Sequence, residues 1–578
     1  MKLGASADLD WSHIENKSGR IAGGKYLEEY DENYDTSPEG RAYPLTRVEA
    51  DIRPTHTESI MKDGKEWQVL TFESSDPEDP FNWPLSRKVF MTALLCLMTL
   101  FIGLATTAYQ SGMARMVKHF GVSNEMGELG LFLFNITCAI APLILAPFAE
   151  LVGRYVIYAG AYILFCLCFI GLALGRNIAT ILVMRAFLGL FGCVGTILVG
   201  GTFDDMFRPH ERTVPMATFA WVAILGTVCA PIYAGFIDQA IGWRWVQGIQ
   251  GLSNIPLLIV IILFFKETRG GAVLAKRARN LRNDTGDDRW VSKEELEAPG
   301  LKDQLYASSV KAFRMLVTEP VVLSFGLWIS FAWFLTFLFL SVIGITFSEK
   351  KHWGEGVAGL PYIGLGIGCT LGFASNFLQI RKYNQVRAEL NGRPVPPEAR
   401  LYGAMIGSVF LPIGLFIYSF TQYAFVHWIG PCIALTCIGI GIYYILECVY
   451  SYTADCYGPS ASSAIAGQGF MRNTLGAVSP LFGLQFFHNL GSQWAGLLLS
   501  LIACLLTTLP FIMFKFGPAI RARSSNAIRY DDDDSGDSKS LSQEKGYSST
   551  TSGNVSPSSG SIKEDKTEIQ NEHHEENM

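Results

Sequence analysis

Charge is scarce in this chain: Asp, Glu, Lys and Arg make up 17% of its 578 residues, while 49% are hydrophobic. A soluble domain carries about 25% charged residues, so a single water-exposed globule is disfavoured from the outset. No Gly-x-x-x-x-Gly-Lys-Ser/Thr loop occurs, so ATP is not the evident source of energy. No nucleophile, metal or cofactor constellation stands out in the polar segments, so neither an enzyme nor a bound metal or cofactor is expected. Nucleic acid is not expected as a partner. The net charge of -6 arises in the polar ends and says nothing about the sign of a ligand. The twelve cysteines, among them Cys96, Cys166, Cys168, Cys437 and Cys448, lie in or beside apolar stretches without paired or metal-like spacing. They read as small hydrophobes.

What the chain does contain is long apolar runs. A hydrocarbon core of about 30 Å needs about twenty residues of helix at 1.5 Å per residue. Stretches of that kind fall near residues 89–109, 129–149, 156–175, 180–203, 216–238 and 245–265. A second set covers 321–347, 357–379, 401–421, 427–451, 462–488 and 493–515. The expectation is an all-α membrane protein of twelve transmembrane helices in two bundles of six. Its parts are a polar tail (1–86), a first bundle (87–265), a central loop (266–320), a second bundle (321–516) and a disordered tail (517–578).

Residues 1–86 carry no charged n-region followed by an apolar h-region, so the first span must itself direct insertion. Lys and Arg are unequally divided among the connections, with about nineteen on one side against six on the other, which predicts cytosolic termini and a cytosolic central loop. The cell membrane is the expected location, with the vacuolar membrane as the alternative. The central loop opens with Lys266, Glu267, Thr268 and Arg269 and continues through Lys276, Arg277, Arg279 and Arg282. It reads as a solvated linker or as a short helix on anionic lipid. Glycosylation triplets at Asn16, Asn135, Asn283 and Asn554 fall in the cytosol or within a span, so none should carry glycan. The Ser-rich end, including Asp531 to Asp534, lacks the apolar content needed to fold.

A charge at the centre of a membrane helix costs roughly 2.5–3.5 kcal/mol on insertion scales, so each one requires a partner or a cavity. Arg185 lies in the fourth span, which ends with Asp204 and Asp205. Glu447 lies in the tenth among Tyr443, Tyr444, Tyr450 and Tyr452, with Tyr443 and Tyr444 on its helical face. Arg472, flanked by Gln468 and Asn473, occupies the middle of the eleventh and must face protein or water. The fifth span carries Gly226, Pro231 and Gly235, small and bendable positions that let helices approach closely. Trp328, Phe331 and their aromatic neighbours in the seventh could hold a flat apolar substrate or face lipid.

At these residues the chain resembles a fungal member of the major facilitator superfamily, in the twelve-span drug:proton antiporter branch, over about residues 80–520. Asp79-Pro80-Phe81-Asn82-Trp83-Pro84 is similar to that group's Asp-Pro-x-Asn-Trp-Pro signature. Ala146 to Arg154 resembles the loop Gly-x-x-x-Asp-x-x-Gly-Arg, with Ala146 and Glu150 in place of Gly and Asp, and implies a gate ion pair between Glu150 and Arg154. Arg185, Gly189 and Gly192 match the fourth-span motif, whose Arg is implicated in proton coupling. Gly226, Pro231 and Gly235 fall on the fifth-span antiporter motif, from which Ala230 and Ala234 depart. Trp243 to Trp245 and the run from Arg472 to Phe482 are further matches.

The resemblance implies two bundles around a central cavity open alternately to each side. Substrate leaves as protons enter, with Glu447, Glu150, Arg154, Arg185 and Asp205 as coupling or gating candidates. Arg472, Gln468, Asn473, Tyr443, Tyr444, Trp328 and Phe331 are the cavity candidates. The expected function is proton-coupled export of small amphipathic compounds by a monomer embedded in lipid. Polyamine, organic-acid or glycolipid export is the alternative, and a non-transporting sensor is the reading from another class.

Overall fold

A computed structural model of the chain describes residues 56–528, apart from residues 63, 197, 209–210, 298–300, 391–394 and 525. The triplets at Asn16 and Asn554 and the acidic run from Asp531 lie outside the described residues.

Among the described residues, eleven helices are long and apolar enough to cross a bilayer. They are α1 (Leu85–Phe120), α2 (Asn124–Val152), α3 (Arg154–Leu174), α4 (Ile178–Met206), α5 (Thr213–Ile241), α6 (Trp243–Phe264), α7 (Pro320–Lys350), α8 (Glu355–Glu389), α9 (Pro397–Thr421), α10 (Ile429–Tyr457) and α12 (Ser492–Ala522). Between the last two lies α11 (Ala461–Leu490), of 30 residues and equal in reach but more polar, because Gln468, Arg472, Asn473, Gln485 and His488 interrupt it. The helices are longer than the apolar runs that mark them, since their ends continue into polar surroundings. Leu167, Ile170, Leu263 and Leu505 stay exposed on the outer faces, where lipid replaces water.

The packing repeats with a shift of six helices. Helix α1 packs along α5, α2 on α4 and α3 on α6, and in the second half α7 packs along α11, α8 on α10 and α9 on α12. The halves meet where α2 lies against α11 and α5 against α8. Close approach is built from small residues. A Cβ on Gly103 of α1 would stand 2.8 Å from the backbone of Gly226 in α5, so neither position has room for a side chain.

The segments outside the membrane are more ordered than the reading of tail and linker implies. Strands β1 (His56–Lys62) and β2 (Lys65–Thr71) form a hairpin, and β3 (Trp290–Ser292), from the central loop, pairs parallel to β2. The fold is thus helical with one small added sheet. A helix from Gly270 to Thr285 carries the basic run, and it is clamped to the segment before α1 rather than lying free. Arg277 pairs with Asp76 at 2.7 Å and Glu78 at 2.6 Å. Burial alone lowers the pKa of Arg277, but the hydrogen bonds to Asp76 and Glu78 reverse this and raise it.

The signature before α1 closes the same corner. Asp79 Oδ1 accepts the Phe81 N–H at 3.0 Å, Asn82 Nδ2 donates to the carbonyls of Ser74 and Asp76, and Lys88 donates to that of Phe81. Trp83 is buried beneath the Arg87 guanidinium.

Candidate functional site: a chamber on the seam between the halves

Midway along the seam is a small chamber of about 40 Å³ lined by both halves. The first half supplies Thr99 and Thr106 from α1, Asn135 and Cys138 from α2, Thr196 from α4, and Phe219, Ala223 and Thr227 from α5. The second half supplies Trp333 and Phe337 from α7, Leu446 and Tyr450 from α10, and Arg472 and Asn473 from α11. Arg472 is the one charged residue among the described residues of this lining. Its Nη1 donates to the Tyr450 hydroxyl at 2.5 Å and its Nη2 to Asn473 Oδ1 at 3.2 Å, while the guanidinium lies 4.5 Å from the Trp333 ring centroid.

Thr196, Phe219 and Tyr450 also line a second, larger space of about 130 Å³, which runs from the chamber toward the end of the bundle bearing the basic connections. Charged pairs surround that mouth. At the start of α3, Arg154 Nε pairs with Asp205 Oδ2 at 2.8 Å, and Arg269 reaches the other oxygen of Asp205 at 3.2 Å. Glu267 seals the corner from below, its carboxylate accepting the N–H groups of Arg154 at 2.8 Å and Tyr155 at 3.0 Å. A carboxylate at a helix start is favoured by the helix dipole. Gly153 makes the turn, with φ of 102°, and a Cβ there would meet Glu267 at 2.5 Å.

Six helices later the arrangement returns, with Arg400 Nε pairing with Asp455 Oδ2 at 2.7 Å. Arg212 then joins the halves, 2.6 Å from Asp204 and 3.6 Å from Asp455, and Arg400 Nη1 donates to Thr213 of α5 at 3.2 Å.

At the opposite end the halves touch directly. Arg115 of α1 pairs with Glu355 at 2.8 Å and lies 3.3 Å from Asp238, Gln485 donates to Glu125 at 3.1 Å, and the Gly356 N–H donates to Gln239. The bundle therefore encloses a central chamber with a wide space toward its basic end and closed contacts at the other.

The profile of the Major Facilitator Superfamily matches residues 95–480, which run from α1 into α11 and contain the whole chamber lining. The chain belongs to the major facilitator superfamily. It is 33% identical over 451 residues to an ascochitine biosynthesis cluster transporter of Didymella fabae, covering 78% of this chain and 87% of that protein. Against a major facilitator superfamily multidrug transporter of Aspergillus fumigatus, identity is 32% over 467 residues, or 80% and 76% of the two chains. An efflux pump of Trichophyton rubrum is 32% identical over 451 residues, covering 78% and 76%. Membership makes this a multi-pass membrane transporter, not an enzyme.

The superfamily motifs acquire physical roles. Gly226 provides the α1–α5 contact, whereas Pro231 and Gly235 face α8: a Cβ on Gly359 would meet the Pro231 carbonyl, and one on Gly235 would stand 2.7 Å from the Glu355 carbonyl. Arg185 is fully buried and ties three helices together. It donates to the carbonyls of Ala105 (3.0 Å), Thr106 (2.9 Å) and Gly130 (3.3 Å) and lies over the rings of Tyr109 and Phe134. It does not line the chamber. Arg154 takes Asp205 as its ion-pair partner, while Glu150 is exposed at the mouth.

Of the expected cavity residues, Arg472 and Asn473 line the chamber. Gln468 lies behind them, bonded to Thr453 and the Val322 carbonyl. Tyr443 packs on Gly372 and Phe373, and Tyr444 on Gly407 with its hydroxyl at Ser375. Trp328 packs on Phe325 and Phe331 on Phe334, so the aromatic wall of α7 is provided instead by Trp333 and Phe337. Glu447 is buried one turn from Tyr450 and accepts a hydrogen bond at 2.9 Å from Ser451, which itself lines the wide space. Trp333 and Phe337 belong to the aromatic run that the sequence offers as a substrate wall, whereas Asn135, Thr106, Arg400 and Asp455 were not singled out as site residues. The repeat of Arg-at-start and Asp-at-end six helices apart is the signal that could have found the last two.

Proposed function

We propose that this transporter exports small amphipathic organic compounds, drugs or a metabolite of the producing cell, in exchange for protons by alternating access. The observation that carries this reading is the chamber itself: aromatic and hydroxyl walls from both halves, with access toward one end of the bundle. The basic connections make that end cytosolic, so the conformation is inward-facing and both termini are inside. The names of the relatives, a multidrug transporter, an efflux pump and a biosynthesis cluster transporter, support the outward direction.

Glu447 is the proposed proton carrier. Buried beside the chamber and reached from the wide space through Ser451, it can exchange a proton with the cytosolic side in this conformation. Each proton moving inward gains about 2.3 kcal/mol per 100 mV of potential. One chain contains the whole route and suffices as a monomer in the cell membrane.

The test is efflux of a panel of dyes, drugs and aromatic acids from cells expressing the protein, with and without an uncoupler. Uncoupler-sensitive efflux that Glu447→Gln abolishes is expected. Efflux indifferent to the uncoupler would remove the proton from the scheme, and normal efflux by Glu447→Gln would remove this carboxylate.

A further inference from the structure

Five arginines of the bundle are almost wholly buried: Arg154, Arg185, Arg400, Arg472 and Arg521. Removing a guanidinium from water is costly unless an opposite charge or a full set of acceptors replaces the solvent. Arg154, Arg400 and Arg521 have Asp205, Asp455 and Glu398. Arg185 has three backbone carbonyls and two aromatic faces. Arg472 differs from all of these. Among the described residues it makes no ion pair, its two hydrogen-bond partners are the neutral Tyr450 and Asn473, and its Nε–H has no partner at all. It also differs in where it stands, since it lines a chamber with no acidic residue among its described lining.

A buried guanidinium that faces a chamber and has no counter-charge offers an anion both its charge and its free N–H. Arginine offers adjacent N–H groups in one plane, which match the two oxygens of a carboxylate or the delocalised oxygens of an enolate. Around it the walls are flat and apolar, with Trp333 under the guanidinium and Phe337 and Phe219 close by. Thr99, Thr106 and Asn135 add neutral hydrogen-bonding groups.

We propose that the chamber takes planar aromatic or conjugated organic anions, with the acidic group on Arg472 and the ring system between Trp333 and the apolar wall. This rests on the chamber being the transport site, as proposed above. It sets cationic drugs and polyamines apart as poor ligands, because each would bring a second positive charge against an unpaired one. A membrane potential negative inside then drives the anion outward in its own right.

The experiment measures binding of three probes of one shape to the purified full-length protein: 2-naphthoate, its methyl ester and 2-naphthylmethylammonium. Quenching of tryptophan fluorescence is read as the difference between wild type and Trp333→Phe. The expected result is binding of 2-naphthoate about tenfold tighter than the ester, from one charge-assisted contact, with the ammonium weakest. Arg472→Gln removes the preference and Arg472→Lys keeps part of it. Should Arg472→Gln fail to fold, the ranking of the three probes by wild type decides. Equal or tighter binding of the ester or the ammonium, no binding of any probe, or a preference that persists in Arg472→Gln overturns the assignment. The two readings fail separately. Export of a neutral dye without anion preference defeats the substrate class alone, and Arg472-dependent binding without export of any compound defeats the exporter alone.

Discussion

Arg154 and Arg400 occupy the same place in the two halves. Each stands at the first turn of a membrane helix, α3 or α9, and each pairs with an aspartate at the far end of the next, Asp205 on α4 or Asp455 on α10. The two pairs flank the mouth of the wide space, and Arg212 spans between the aspartates of the two halves beside them.

Removing one partner of such a pair strands a buried guanidinium. Asp205→Asn and Asp455→Asn are each expected to lower stability by roughly 3 kcal/mol. Exposed Glu150, replaced by Gln, should change it by less than about 0.5 kcal/mol. Unfolding of the purified variants in detergent checks this. A large loss for Glu150→Gln with none for Asp205→Asn would restore Glu150 as the partner of Arg154.

The α1–α5 contact depends on the absence of two side chains. Gly226→Ala places a methyl about 2.7 Å from the Leu100 carbonyl, and a cost of about 1–3 kcal/mol follows from the forced shift. Gly160→Ala, in α3, meets nothing within 4 Å and is expected to be neutral or slightly stabilising. Paired thermal-shift measurements separate close packing from a general intolerance of glycine replacement.

Arg185 is held by the shape of its guanidinium. Its three nitrogens satisfy carbonyls on two neighbouring helices, and an ammonium group cannot reproduce that fork. Arg185→Lys should therefore lose most of what Arg185→Ala loses, about 2–4 kcal/mol. Full stability of Arg185→Lys would show that charge, not geometry, is what the site uses.

Outside the membrane, Arg277 joins the segment before α1 to the central loop. Arg277→Ala is expected to raise hydrogen exchange in residues 56–79 and 270–292 together, leaving α7 to α12 unchanged. An increase confined to the Gly270–Thr285 helix would mean that the sheet holds without the clamp.

The membrane spans were legible because length and apolar content act on whole segments, and even the more polar α11 was read as an apolar stretch at 462–488. Arg472 was legible for the opposite reason: a charge in such a segment is too costly to be there without cause. The faces of α7 were not. That helix is buried almost all round, so no periodicity distinguishes Trp328 and Phe331 from Trp333 and Phe337; only the position of α11 does. Tyr443 and Tyr444 share a face with Glu447 as the spacing says, but that side is filled by α8 and α9 at Gly372 and Gly407. The third strand was hidden because β3 has three residues and exists only through pairing with a strand more than two hundred positions away.

The central claim is that substrate passes through the chamber on the seam, and filling it is the most direct test. Ala223 lines that space from α5, so Ala223→Trp directs its added bulk into the void rather than into packed core. Leu167→Trp, on the lipid-facing side of α3, serves as the control for an added indole. Efflux from vesicles containing equal amounts of each variant should fall at least about tenfold for Ala223→Trp with its melting temperature unchanged, and stay at the wild-type rate for Leu167→Trp. Undiminished efflux by a folded Ala223→Trp protein would place the route elsewhere.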